Sequence, residues 1–187
     1  MKNSPVMVDS IEPIMAGDSI RLNLGGRDTH IPGFLTVDLK EGGDIQSDIS
    51  DLKSFADGTV SEIYASHCLE HFPHVRTQYV LEEWRRVLKP KGKLYISVPD
   101  FDAVVRLYNL TGHLNDFLRN LLYGDQIYDL AFHYTIFTFT TLAAYCARAG
   151  FEDVRRITVM PYNVKDCSHN LDTITLQPIS VNVEAIA

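Results

Sequence analysis

Paired cysteines, long apolar runs and clustered basic residues are all missing from this sequence of 187 residues. The three cysteines, Cys68, Cys146 and Cys167, stand far apart and form no CxxC pair. They give no disulfide framework and fit a reducing, cytoplasmic setting. No apolar stretch approaches the roughly 18 residues of a spanning helix. The first twenty residues carry Asp9, Glu12 and Asp18, so neither a signal peptide nor membrane insertion is expected. Lys and Arg number 17 against 24 Asp and Glu, a net charge of −7. The nearest thing to a basic patch, Arg85, Arg86, Lys89, Lys91 and Lys93, falls at a helix end and turn and reads as solvated surface. Nucleic acid, which demands a clustered positive face, is not an expected partner.

What is present is an ordinary globular composition, 45% hydrophobic and 22% charged, at a length that one domain accommodates. Residues 1–18, with Pro5, Pro13 and Gly17, have no clean period and read as a loosely attached leader to a domain spanning 19–187. Ile20 to Leu24 alternates and stops at Gly25-Gly26, a strand entering a sharp turn. Further strands are expected at 34–38, 60–65 and 94–98. A helix over 76–88 follows from the three-to-four spacing of Tyr79, Val80, Trp84, Val87 and Leu88, with breakers at Lys89-Pro90-Lys91-Gly92. Residues 101–137 read as one or two helices interrupted at Gly112 and Gly124, and 140–149 as another helix ended by Gly150. The runs 154–160 and 179–186 are strand-like.

Strands alternating with helices predict an α/β, Rossmann-like fold: a mostly parallel sheet, helices on both faces, and a C-terminal antiparallel hairpin. Only the nine residues Gly25 to Gly33 separate the first two strands. A parallel crossover with its helix takes about ten to twelve or more, so the first helix is expected to be reduced or absent. In such sheets ligands bind beyond the carboxyl ends of the strands. In chain order those positions are Gly25 and Gly26, Asp38, Asp48 with Ile49, Ser66 with His67, and Asp100. A nucleoside with two ribose hydroxyls needs a carboxylate after the second strand, and a closely approaching ligand needs a loop without Cβ atoms after the first.

Several segments carry a resemblance: RLNLGG at 21–26, IPGFLTVDL at 31–39, EIYASHCLEHF at 62–72, EEWRRVLKPKGKLYISVPDF at 82–101, FHY at 132–134 and AGFEDVRR at 149–156. In order and spacing the chain resembles the class I S-adenosylmethionine-dependent methyltransferases, in particular the methyltransferase type 11 group of bacterial, polysaccharide-associated proteins. The resemblance implies S-adenosylmethionine as cofactor, with Asn23, Gly25 and Gly26 in the loop that passes its amino-acid part. It implies Asp38 as the ribose-binding acid, Asp48 and Ile49 beside the adenine, and Ser66 and His67 near the sulfonium. Asp100 falls at the next strand mouth, where an acceptor approaches. Two positions depart from the family: Gly25-Gly26-Arg27 replaces its Gly-x-Gly, and Lys91 stands in its Pro-Gly-Gly turn. Without the first helix no helix dipole helps hold the methionine carboxylate, a task Arg27 could take over by a charge-assisted hydrogen bond.

Methyl transfer from a sulfonium is an in-line displacement that needs positioning and dryness and no metal. A hydroxyl acceptor calls for a general base, for which His67, His133 and Asp100 are the candidates, with Cys167 a weaker one on the 166–169 loop. His133 lies in an aromatic segment that reads either as a lid or as packing. His67, His71 and His74 have helix-face spacing, but Pro73 interrupts them and no ligand set is completed, so no metal is expected. His71 is expected to anchor the helix start. The expected activity is methyl transfer to a small-molecule or glycan-type acceptor; the alternative is a methyltransferase fold that has lost activity and serves as a binding or regulatory module. A homodimer is compatible with the sequence. A nicotinamide-dependent dehydrogenase is excluded, since GxGxxG is absent and nothing would hold a pyrophosphate.

Overall fold

The computed structural model describes residues 19–27 and 29–187, and the expected leader lies outside them. Seven strands form one sheet: β1 (Ile20–Leu24), β2 (Leu35–Asp38), β3 (Ile45–Gln46), β4 (Val60–Ser66), β5 (Leu88–Pro99), β6 (Glu152–Ile157) and β7 (Ser180–Ile186). Their order is β3-β2-β1-β4-β5-β7-β6. The pairs from β3 to β5 are parallel, β7 runs antiparallel to β5, and β6 runs antiparallel to β7. The expected sheet and terminal hairpin are therefore present. β6 starts two residues before its apolar run, and β3, at two residues, is too short to leave a period in the sequence.

The chain runs outward from β1 in both directions, so the switch point of the sheet lies between β1 and β4. The described part of the β1–β2 link holds turns and no helix, as its length and its Gly25, Gly26, Pro32 and Gly33 require. Four helices follow: α1 (His74–Val87), α2 (Phe101–Thr111), α3 (Asp116–Tyr123) and α4 (Phe139–Arg148). Gly112 and Gly124 cap α2 and α3 at positive φ, where the sequence placed the interruptions. At Gly124 a Cβ would stand 1.8 Å from the Ala131 carbonyl oxygen, so no side chain fits. No helix among the described residues is long and apolar enough to cross a membrane.

The two faces of the sheet are covered differently. Val80, Leu81, Trp84 and Val87 of α1 and Leu142 and Cys146 of α4 pack on Leu22, Leu24, Ile63, Ala65, Ile96 and Val183. Trp84 is fully buried and donates its Nε1–H to the Ile49 carbonyl at 2.8 Å. The opposite face gathers Tyr64 and Tyr95 with Ile31, Phe34, Met160 and Val164, all from strands and loops. Tyr162 meets Phe34, Tyr64 and Tyr95 edge-on. Helices were expected here too; in the cluster packed on this face, loops supply the cover, because the short 25–34 link leaves no room for one. The basic grouping also differs from a solvated patch. Arg86 donates to both oxygens of Glu83, to Asp57 and to the Leu52 and Phe55 carbonyls, tying the helix-free 52–57 link to α1.

Candidate functional site

Loops after β1, β2, β3 and β4 meet at the carboxyl edge of the sheet. Gly25 leaves β1 at φ +69 and donates its N–H to the Val37 carbonyl at 2.9 Å. A Cβ on Gly25 would lie 2.6 Å from Cys68 Cβ and 3.8 Å from Ile49 Cδ1, so the ends of β1 and β4 close on each other across the switch point. At Gly26 a Cβ would strike the Asn23 amide at 2.2 Å. Asn23 itself is buried and donates to the Thr29 carbonyl at 2.7 Å, which fixes the 26–29 turn. Both glycines and Asn23 thus answer to the loop's own packing.

Asp38 ends β2 half-buried. Its Oδ2 accepts the Arg27 N–H at 3.2 Å and its Oδ1 the Lys40 N–H at 2.8 Å, which orients the carboxylate and leaves each oxygen a further lone pair. Asp48 is exposed and caps the Ser50 N–H at 2.8 Å, while its neighbour Ile49 is buried against Trp84 and Gly25. Sequence reasoning missed Cys68 as a wall of this site, although it directly follows Ser66-His67. Burial first, then the charges of Glu70 and Asp38, push its thiol well up, so it faces Gly25 as a small neutral apolar group. Ser66 Oγ is buried at the end of β4, close to Tyr64 and Asp166.

A second group adjoins the first. His67 takes φ +51, a strained conformation for a residue with a Cβ, and its N–H is held by the Ser97 carbonyl at 2.8 Å. Its Nε2 lies 2.9 Å from Ser180 Oγ and its Nδ1 3.3 Å from Glu70 Oε1. Glu70 is completely buried on the Leu69–His71 turn. Burial pushes its carboxyl up, but His67, His71 and His133 outweigh that and hold it below its ordinary value. His71, expected to anchor the helix start, pairs instead through Nδ1 with the Phe132 carbonyl at 2.9 Å. The Phe132-His133-Tyr134 segment is strapped down, with Tyr134 and Thr135 N–H groups on the Glu70 carbonyl and Thr135 Oγ1 on the Phe72 carbonyl at 2.6 Å. His133 pairs through Nδ1 with the Leu121 carbonyl at 3.1 Å, and burial lowers its pKa.

The remaining sequence candidates are engaged elsewhere. Asp100 is buried at the start of α2, where Oδ1 accepts the Asp102 N–H at 3.0 Å and Oδ2 the Arg156 guanidinium at 2.7 Å. The Cys167 thiol is pushed up by partial burial and by the charges of Asp166 and Glu70, the reverse of what activates a nucleophile. His74 is exposed at the start of α1. Two surface cavities beside α3, of about 80 and about 220 Å³, are not lined by the strand-end residues, and both fall short of the ~300 Å³ a ligand pocket needs.

Comparison with known proteins agrees with this geometry. Residues 32–96 match the family described as a methyltransferase domain, a segment that holds Asp38, Asp48, Ser66 and His67 and begins just after the glycine loop. No curated protein matches the chain. Among solved structures, an S-adenosylmethionine-dependent methyltransferase from Archaeoglobus fulgidus is similar over 91% of this chain and 87% of its own, at 16% identity and a TM-score of 0.58. A 1,6-didemethyltoxoflavin-N1-methyltransferase from Burkholderia thailandensis, solved with 1,6-didemethyltoxoflavin and S-adenosylhomocysteine, is similar over 90% of this chain and 70% of its own, at 15% identity and a TM-score of 0.54. At these identities the likeness is one of fold. The matched segment is thus similar to a methyltransferase domain, and the sheet around it has the fold of S-adenosylmethionine-dependent methyltransferases.

Proposed function

We propose that the chain transfers a methyl group from S-adenosylmethionine to a hydroxyl of a small-molecule or glycan-type acceptor in a biosynthetic pathway of the cytoplasm. The observation that carries this reading is Asp38, a carboxylate fixed by the Arg27 and Lys40 amides beside the Gly25–Ile49–Cys68 wall. Its free lone pairs suit the two hydroxyls of a ribose, and the apolar Ile49 and Cys68 suit an adenine edge. The bound cofactor supplies an electrophilic methyl on a sulfonium, which needs no metal and leaves the chain to align the acceptor and exclude water. Arg27, whose backbone N–H bonds Asp38, serves the methionine carboxylate in place of a helix N-terminus.

His67 is the general base in this reading. As the methyl carbon leaves sulfur and bonds to the acceptor oxygen, the hydroxyl proton passes to the imidazole. It is preferred to Asp100, which is buried under the Arg156 guanidinium, and to His133, which is tied into the strap, because His67 directly follows Ser66 at the end of β4 beside the Gly25–Cys68 wall. Calorimetric titration with S-adenosylmethionine and S-adenosylhomocysteine tests the reading. One-to-one binding of both is expected, weakened about tenfold or more by Asp38→Ala and by Arg27→Ala, as loss of one charge-assisted contact of ~1.5–3 kcal/mol requires. No binding at millimolar concentration favours the inactive module, and unchanged affinity in Arg27→Ala removes that residue's role.

A further inference from the structure

We infer that Glu70, His71 and His133 form a binding site for a divalent transition-metal ion of the zinc class. Glu70 is fully buried, and among the described residues neither carboxylate oxygen has an aligned hydrogen-bond partner. A buried carboxylate without partners is costly, and its neighbours here are three histidines. The hydrogen bonds fix where their protons sit. His71 and His133 each spend Nδ1–H on a backbone carbonyl, of Phe132 and Leu121, which leaves Nε2 with a free lone pair. Ser180 Oγ donates to the Cys167 carbonyl and so accepts from His67 Nε2–H. His67 turns its other nitrogen, Nδ1, toward Glu70 Oε1 at 3.3 Å. With Nδ1–H of His71 and of His133 spent on carbonyls, only a positive charge, on a ring or on a bound ion, can balance this carboxylate.

The donors are placed to hold one. A ring nitrogen of His71, one of His133 and a Glu70 oxygen all lie within 4.8 Å of one another. Tetrahedral coordination at ~2.1 Å needs separations of about 3.4 Å, a closure that side-chain torsions supply. Histidine Nδ1–H groups pointing at carbonyls are the usual outer partners of metal-binding imidazoles, because they fix tautomer and ring orientation. The backbone frame is already tied, with the Glu70 carbonyl accepting from Tyr134 and Thr135. The ion would clip the Leu69–His71 turn to the 132–135 strap.

The test uses the full chain stripped with a chelator and titrated first with Co²⁺, whose visible bands report coordination, then with Zn²⁺ in competition. One ion per chain is expected, with a raised Tm. Glu70→Gln, which keeps the shape of the side chain, and His133→Gln should each weaken binding ~100-fold, at least as much as loss of an outer partner. His74→Ala, at an exposed histidine, should change nothing. Circular dichroism confirms that each variant is folded. No ion bound at micromolar zinc overturns the inference and assigns the missing charge to a protonated imidazole. Binding that survives both Glu70→Gln and His133→Gln overturns it as well. The titration contains no S-adenosylmethionine, so its failure leaves the methyltransferase reading untouched.

Discussion

The two faces of the sheet solve the same problem by different means. On one, helices α1 and α4 bury aliphatic side chains and Trp84 against the strands. On the other, loops lie over tyrosines and polar strand residues: Tyr64 bonds Asp166, and Asn182 bonds the Ser168 carbonyl. The first face is held by apolar area, which is insensitive to exact geometry. The second is held by directional bonds that the loops must supply one by one. A domain that gave up its first helix keeps its stability on one side and its irregular, site-forming backbone at the strand ends.

Truncation should expose this difference most sharply. Trp84→Ala removes a fully buried ring and its bond to Ile49, and should cost ~3–5 kcal/mol. Tyr162→Ala, in the partly exposed aromatic group of the other face, should cost ~1–2 kcal/mol, the scale of such ring pairs with limited burial. Urea unfolding compares the two directly; equal losses would erase the distinction.

The next largest effect concerns how a link without a helix is held on the apolar face. Arg86 above all holds the Glu83 carboxyl below its ordinary value of 4.5, against the opposing push of burial and with the Leu52 N–H bond adding to its effect. The folded value is depressed, so the stabilisation is present above the unfolded value and is lost as pH falls through the folded one. Glu83→Gln should therefore cost ~2 kcal/mol at pH 7, with the gap to the parent protein closing below about pH 4.5. A gap independent of pH would show that the pair contributes by shape alone.

The smallest effect sharpens the strand edge shared by both faces. Lys91 takes φ +65, a region that favours glycine, and its N–H is held by the Ala187 carbonyl at 2.7 Å. Lys91→Gly should raise stability by ~0.5–1 kcal/mol, the left-handed penalty less the added chain entropy. A loss would mean that the lysine side chain contributes more than its strained backbone costs.

Much of this was legible in the sequence, and for definite reasons. The short Gly25–Gly33 link announced a missing helix, the spacing of Val80, Trp84 and Val87 announced α1, and Gly112 and Gly124 marked helix ends that the structure puts at positive φ. What was illegible depended on distance in the chain. Asn23 beneath Gly26, Cys68 against Gly25, Arg86 across the 52–57 link, and His133 beside Glu70 are contacts that no local period encodes. Likewise, the loop-built second face could not be read, because aromatic loop residues such as Tyr162 leave no repeating pattern.

The central claim is that the strand-end loops, and not the cavities beside α3, receive the cofactor. Amide NMR with S-adenosylhomocysteine added stepwise tests it residue by residue. Shifts should concentrate at Gly25, Gly26, Arg27, Lys40, Ile49 and His67, and leave Thr111, Leu118 and Asp172 unmoved. Shifts confined to Thr111, Leu118 and Asp172–Ile174 would contradict the account.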